Sequence, residues 1–271
     1  ANAWQYSLFV PQDIKGHIEI MGGAKKYEKH LDDMFNATSI TSGRDQPDVT
    51  GLIGQYAHGN EPSHHMGYLY NYVGAPHKTQ KIVHEIMTSQ YSELPDGLSG
   101  NEDCGQMSAW FVLSAMGFYS VTPGLDYYTI GTPLFKKVTL NLENNNKFII
   151  VAEKVSDKNI YIQSATLNGK RFSQSFIIHK TIMAGGKLIF KMGDKPSKWA
   201  SESIPLSEIN INKIISVPYF EATSQTFSDS LIIKLGSVDN AEIYYSINDS
   251  LELLYCNSII IKEDSEIKCR V

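Results

Sequence analysis

The chain has 271 residues, which is longer than one ordinary domain and enough to bury a large core. Its net charge of -5 offers no basic face for nucleic acid or for an anionic membrane surface. No run of about 18 apolar residues occurs, so we expect no membrane span.

From about residue 8 to residue 120 the apolar residues recur with a helical period, and glycine or proline ends each run. Short connections between these runs favour antiparallel helix pairs, about five helices in all. The predicted buried faces are Ile14, Ile18 and Met21; Tyr27, Leu31, Met34 and Phe35; Leu69, Tyr72 and Val73; Ile82, Ile86 and Met87; and Met107, Trp110, Phe111, Ser114 and Ala115.

From about residue 127 to residue 217 the period changes to two, which predicts an antiparallel β-sandwich. The expected strands are residues 138–142, 148–151, 160–162, 176–178 and 187–190, and Asn168-Gly169 is a strong hairpin signal. Three further strands follow, at 231–233, 243–246 and 258–261. We therefore expect regions 1–126, 127–217 and 218–271.

Three cysteines, Cys104, Cys256 and Cys269, form no CxxC pair, so neither a disulfide framework nor a zinc site is specified. Cys256 and Cys269 would be able to pair in an exported protein, although spacing alone does not establish it. The first residues have neither the basic nor the apolar stretch of a signal peptide.

Two polar segments that carry carboxylates each precede an apolar run: HGNEPSHH at 58–65 and PDGLSGNEDCGQ at 95–106. Loops that carry acids at the ends of helices are one way for a helical protein to build an active site. Carboxylates at helix starts are also favoured as caps, so a structural role stays open for both Glu61 and Asp103.

These segments, together with NAWQY at 2–6, resemble the motifs of glycoside hydrolase family 92, the calcium-dependent exo-acting α-mannosidases. GFY at 117–119, IGTP at 130–133 and QSATLNG at 163–169 follow in the expected order. The resemblance implies an α+β multidomain fold, with part of an (α/α)6 barrel at 1–126 before the β-sandwich. The tail, through IYYSIND at 243–249, resembles a truncated immunoglobulin-like module found after bacterial glycosidases.

The resemblance implies removal of non-reducing terminal mannose from α-mannosides or N-glycans by an inverting mechanism. Asp103 matches the general base and Asn101 its partner; the general acid precedes Asn2. We therefore expect this chain to be the C-terminal portion of a periplasmic or secreted enzyme, inactive alone, against which a missing N-terminal part packs.

Asn60 and Glu61 match calcium ligands, and the loop that holds Gln46 can add a further oxygen, because Ca²⁺ prefers hard oxygen donors. A zinc site at His64 and His65 is rejected, since adjacent helical side chains point about 100° apart. One of the two histidines is expected to bind sugar or to orient Glu61, and the other to pack.

Further sugar contacts are expected from Trp4, Gln5 and Gln106, whereas Trp110 is expected in the core and Cys104 as a small buried residue. Two alternatives stay open. One is a helical-barrel sugar phosphorylase, which needs a cation near Asp103, and residues 97–106 contain none. The other is a non-catalytic carbohydrate-binding or scaffold protein.

Overall fold

A computed structural model describes residues 3–41, 49–209, 216–222, 224–238 and 240–271. The chain divides into two compact units, Ala1–Ile209 and Asn210–Val271. Both helices and sheets are present, so the α+β class is confirmed. The first unit contains the predicted region 1–126 and most of the predicted region 127–217. The boundaries predicted at residues 126 and 217 therefore stay predictions.

Most helices of the first unit occur where the sequence predicts helical faces, but the short helices Ala3–Ser7 and His179–Met183 lie outside the predicted helical region of residues 8–120. The long helix Ala24–Asn36, for example, buries the predicted face of Tyr27, Leu31, Met34 and Phe35. The α-helices are α1 Ala3–Ser7, α2 Ile14–Ile20, α3 Ala24–Asn36, α4 Pro76–Ser89, α5 Gln106–Met116 and α6 His179–Met183, and 3₁₀ helices span Pro11–Asp13, Glu61–Ser63 and Met66–Val73.

The segment Met66–Val73 differs from the predicted α-helix, since it is a 3₁₀ helix that ends at left-handed Gly74. Seven of its eight residues are buried, so the segment is surrounded by protein on all sides, unlike an amphipathic helix that buries only one face. Tertiary packing, and not amphipathic period, therefore sets the conformation of the segment that follows Glu61.

The described strands of the first unit form three sheets. They are β1 Leu52–Ile53, β2 Tyr56–Ala57, β3 Phe118–Tyr119, β4 Tyr127–Ile130, β5 Lys137–Asn141, β6 Lys147–Glu153, β7 Tyr161–Leu167, β8 Lys170–Phe172, β9 Phe176–Ile178 and β10 Gly186–Gly193. β1 and β2 pair as a hairpin, β3, β4 and β9 form an antiparallel sheet, and the third sheet has the order β5-β6-β10-β7-β8.

The prediction of a fully antiparallel unit is wrong for one pair of strands. β10 lies between β6 and β7, antiparallel to β7 but parallel to β6, with Leu188 opposite Ile150. Parallel neighbours need a long crossover, and the chain between Glu153 and Gly186 supplies it. The hairpin at Asn168-Gly169 is confirmed: it joins β7 to β8, and both of its residues have positive φ.

In the described part of the first unit, the buried apolar side chains form two hydrophobic cores. One lies among the helices, around Tyr27, Leu31, Met66, Leu69 and Trp110. The other lies between the two larger sheets, because Phe118, Ile130 and Ile177 of one sheet cluster with Phe148 and Phe190 of the other. Leu113 and Met116 of α5 pack against this second core, so α5 borders both and is held firmly at its C-terminal end.

The second unit has its own core of Ile233, Leu235, Ile243, Ile259 and Ile261. Its strands are β11 Tyr219–Glu221, β12 Leu231–Gly236, β13 Tyr244–Ile247, β14 Leu253–Leu254, β15 Ile259–Ile261 and β16 Ile267–Arg270. They form two three-stranded sheets, β11-β12-β15 and β14-β13-β16. Cys256 and Cys269 are both free, so the disulfide left open by the sequence is absent from this structure. None of the described helices is both long and apolar enough to cross a bilayer.

Candidate active site

Two glycines allow the two acidic segments to touch through their backbones. A Cβ atom at Gly100 would lie 2.8 Å from Gly59 Cα and 3.0 Å from Gly59 O, and one at Gly59 would collide with Ser99 O and Thr50 Oγ1. The Gly59 N–H also donates to Thr50 O at 3.1 Å. Because neither glycine has a side chain, the two backbones approach closely, and Asn60 and Glu61 lie beside the segment that leads to Asp103.

The Asp103 and Glu61 carboxyls lie close enough to interact. Their interaction, followed by desolvation and by the negative charges of Glu61 and Glu102, raises the pKa of Asp103. Asp103 is exposed and Glu61 is half-buried. Among the described residues no Lys, Arg or His forms an ion pair with either carboxylate. Two neighbouring carboxylates repel each other when both are ionised, so a shared proton or a bound cation would stabilise the pair.

Glu102, and not Asp103, caps α5. Its carboxylate accepts hydrogen bonds from the Ser108 N–H at 3.2 Å and from the Gly105 N–H. The contacts with Ser108 are the main cause that lowers the pKa of Glu102. Since the capping role falls to Glu102, the Asp103 carboxyl is left available for chemistry.

Asp103, Cys104 and Gly105 have φ values of 52°, 56° and 96° and so form a left-handed turn ahead of α5. Non-glycine residues adopt this conformation at an energetic cost, and such residues cluster at functional sites. The prediction that Cys104 is a small buried residue is wrong, because this turn precedes the apolar helix and leaves Cys104 exposed.

His64 is buried, and both of its ring nitrogens have partners. Nε2 lies 2.9 Å from His58 O, and Nδ1 lies 3.2 Å from Gln106 Nε2. The carbonyl only accepts, so Nε2 carries the proton and Nδ1 accepts from Gln106. Burial lowers the pKa of His64 to about 4, so the ring is neutral near pH 7. This geometry connects His64 and Gln106, two of the predicted sugar-binding residues, to each other.

His65 points away from His64. Its Nε2 donates to Leu8 O at 2.9 Å, and burial lowers its pKa to about 4. The ring also meets Phe9 edge to face, at 5.8 Å between centroids. His65 therefore packs in the interior and anchors the chain after α1.

Trp4 and Gln5 lie on α1. Trp4 stacks on His30 at 5.1 Å between ring centroids, and it is only partly buried. Gln5 is almost fully buried and donates to Gln55 O at 3.2 Å, which ties α1 to the hairpin of β1 and β2. These contacts give Gln5 a structural role, whereas Trp4 keeps part of its surface exposed. Asn101 is exposed two residues before Asp103.

An aromatic cluster around Trp110 supports both acidic segments. Trp110 is fully buried, as predicted, and its indole N–H donates to His64 O at 3.0 Å. Tyr91 stacks parallel to it at 6.0 Å, and His58 meets it edge-on at 4.5 Å. Sequence reasoning did not find Tyr56, Tyr91 or Tyr119, because no spacing connects tyrosines that come from separate elements.

The sequence profile of the glycosyl hydrolase family 92 catalytic domain matches residues 1–194. The chain belongs to glycosyl hydrolase family 92. A curated relative, described as an uncharacterized secreted glycosidase of Arthroderma benhamiae, is 30% identical over 201 residues. That match covers 73% of this chain and 24% of the relative.

Solved structures of the family are also similar. A family 92 α-mannosidase from Bacteroides thetaiotaomicron, in complex with mannoimidazole, is 39% identical with a TM-score of 0.72, over 75% of this chain and 27% of that one. An inverting family 92 mannosidase of the same organism is 36% identical with a TM-score of 0.66, over 77% and 30%. The chain thus spans 24–30% of the length of these relatives.

The fit of this family 92 site to calcium rests on its oxygen donors. Glu61 supplies a carboxylate that has no ion-pair partner among the described residues, and Asn60 supplies an amide oxygen; both suit a hard cation. Within the described part of the chain no group of three or more His, Cys, Asp or Glu side chains is arranged to hold a metal. Gln46 lies outside the described residues. The donors therefore fit one side of a calcium site, and the nitrogens of His64 are already engaged.

We expect Gly100→Ala to lower the free energy of unfolding by about 1–3 kcal/mol, the usual cost of forcing an extra carbon into a packed region. The added Cβ would press on Gly59, and the two acidic segments would have to separate. Urea unfolding measures the change. Gly67→Ala is the matched control, because its Cβ would meet Ile82, Ile86 and Val83 at ordinary distances of 3.4–3.6 Å. Equal stability of Gly100→Ala and the wild type would contradict the close approach.

Proposed function

We propose that this chain is part of an exo-acting, calcium-assisted, inverting α-mannosidase. The observation that carries the proposal is the exposed Asp103 carboxyl beside Glu61, where the described residues supply no pairing cation. Family membership and the mannosidase neighbours support mannose-containing oligosaccharides as the substrate.

Asp103 is proposed as the general base. An inverting glycosidase keeps its acid and base about 6.5–9.5 Å apart so that a water fits between base and sugar. Glu61 lies close enough to Asp103 to interact with it, and this separation is too short for Glu61 to be the general acid on the other side of the sugar. The acid therefore belongs to another carboxyl of the enzyme, and exposed Asp103 is open to the water that it would deprotonate.

Glu61 and Asn60 are proposed to hold calcium, with Gln46 as a further ligand. When bound, the ion would supply positive charge for hydroxyl groups of the mannose ring and favour its flattening. The neutral rings of His64 and His65 would keep the following segment rigid through their bonds to His58 O and Leu8 O.

The remaining family features are proposals of the same kind. Helices α1 to α5 would form part of an (α/α)6 barrel that other segments of the enzyme complete, and hydrolysis would require those segments. The second unit would be the immunoglobulin-like module. A secreted or periplasmic location is supported by the relative from Arthroderma benhamiae, which is described as secreted.

The full-length gene product is expected to release mannose from linkage-defined α-mannobioses, and EDTA is expected to abolish this until calcium is added back. NMR of the first product should detect the β-anomer, because an inverting enzyme exchanges the anomeric configuration in one displacement. Full activity after complete demetallation would remove the calcium assignment. Mannobiose binding without turnover would favour the non-catalytic alternative, and turnover that requires phosphate would favour a phosphorylase.

A further inference from the structure

A buried chain of hydrogen bonds joins the two acidic segments below their surface. Tyr56 Oη lies 2.7 Å from His58 Nδ1, and His58 Nε2 lies 2.6 Å from Tyr91 Oη. Tyr91 Oη in turn donates to Met107 O at 3.1 Å, in the first turn of α5. Tyr56, His58 and Met107 are buried, so water does not replace these partners.

The direction of every bond follows from the number of protons. The Met107 carbonyl only accepts, so the single hydroxyl proton of Tyr91 goes to it. Tyr91 Oη must then accept from His58, which places the imidazole proton on Nε2. The lone pair left on Nδ1 accepts the hydroxyl proton of Tyr56. This order satisfies all the donors, and only a neutral His58 permits it.

The ring of His58 is enclosed by other rings. Trp110 and His64 cover it, at 4.5 and 4.8 Å between ring centroids. The imidazole is therefore held in place between the hydroxyls of Tyr56 and Tyr91.

The ends of this chain lie close in sequence to the catalytic candidates. His58 is three residues before Glu61, and Met107 is four residues after Asp103. Trp110 and Gln106 bind His64 on the other side of Glu61, so α5 holds the segment at two points. Tyr91 belongs to neither segment, and it bridges the end at which the backbones of Gly59 and Gly100 meet.

We propose that Tyr91 is a positioning residue that sets the distance between Glu61 and Asp103 through His58. Its hydroxyl fixes the His58 tautomer and locks the segment that ends at Glu61 to the first turn of α5. The expected effect of Tyr91 on catalysis rests on the proposed function, whereas the effect of Tyr91 on the tautomer of His58 does not.

The test is Tyr91→Phe in the full-length gene product, with hydrolysis of an α-mannobioside as the first readout. We expect kcat to fall by about 10–100-fold, since a displacement of about 1 Å can cost about 10²-fold. KM should change by less than about threefold, because the loss falls on transition-state and not ground-state contacts. The control is Tyr127→Phe, which removes a comparable hydroxyl that donates to Leu206 O at 3.0 Å.

The second readout is the ¹⁵N NMR spectrum of the His58 ring, which needs neither substrate nor metal. The wild type should carry its proton on Nε2, and Tyr91→Phe should lose that preference while Tyr127→Phe keeps it. His58→Gln retains an N–H donor for Tyr91 and should keep more activity than His58→Leu, which covers the case in which Tyr91→Phe folds poorly.

The proposal is overturned by a wild-type His58 proton on Nδ1, or by an active enzyme whose kcat stays within about threefold in Tyr91→Phe. A wild type that releases no mannose would instead refute the proposed function. In that event the ring spectrum of wild type and Tyr91→Phe still decides whether Tyr91 sets the state of His58.

Discussion

Asp103→Asn is expected to lower kcat for α-mannoside hydrolysis by the full-length gene product by about 10²–10⁴-fold, the usual contribution of a general base. Asparagine keeps the shape of the side chain and tolerates the left-handed conformation at φ 52°, so the turn before α5 should persist. The side chain is exposed and Glu102 retains the cap, so folding should be unchanged. Steady-state kinetics, with circular dichroism to check the fold, measures the effect.

The matched control for Asp103→Asn is Asp96→Asn, an exposed carboxylate a few residues earlier in the same connection. It removes the same charge but lies outside the carboxyl pair, so its kcat should equal that of the wild type. A loss below about threefold in Asp103→Asn, with the fold intact, would move the base elsewhere. Glu102 would then be the first replacement, although its cap bonds argue against it.

Glu61→Gln is expected to weaken calcium binding by at least about 10–100-fold, the loss typical even of an outer partner of a metal ligand. The change removes one of the two neighbouring carboxylates whose negative charges would favour a bound cation. The amide can donate a hydrogen bond to Asp103, so the contact itself should survive. Calcium titration by calorimetry measures the affinity without reference to activity.

Glu143→Gln is the control for this substitution, because Glu143 is an exposed carboxylate in the connection between β5 and β6. It should bind calcium as the wild type does. Unchanged affinity in Glu61→Gln would exclude Glu61 from the metal site. If mannose release were also lost in that variant, Glu61 would become the candidate for the general acid.

Local features of the sequence predicted much of the fold. The apolar stripe of α3 and the glycines after helices were sufficient to place most helices, because these signals depend on residues within one or two turns. The Asn168-Gly169 hairpin was predicted for the same reason, since both residues accept positive φ. The motifs around Glu61 and Asp103 indicated the family, which the comparisons then confirmed.

Other features depend on residues distant in sequence and were not predictable from it. The parallel pairing of β10 with β6 is one, because a period of two does not specify which neighbour a strand chooses. The exposure of Cys104 and the cap by Glu102 are others, since both follow from the left-handed turn at residues 103–105.

The sequence by itself determined the type of most main elements, the family, and the two acidic segments as the candidate site, since these signals lie in residues adjacent along the chain. Only the tertiary structure decided that Glu61 lies beside Asp103, that Gly59 and Gly100 permit it, and that Tyr91 links His58 to Met107. The physical reason is that these contacts join separate elements. Their geometry is set by the packing of α5 and its aromatic cluster, which no local period encodes.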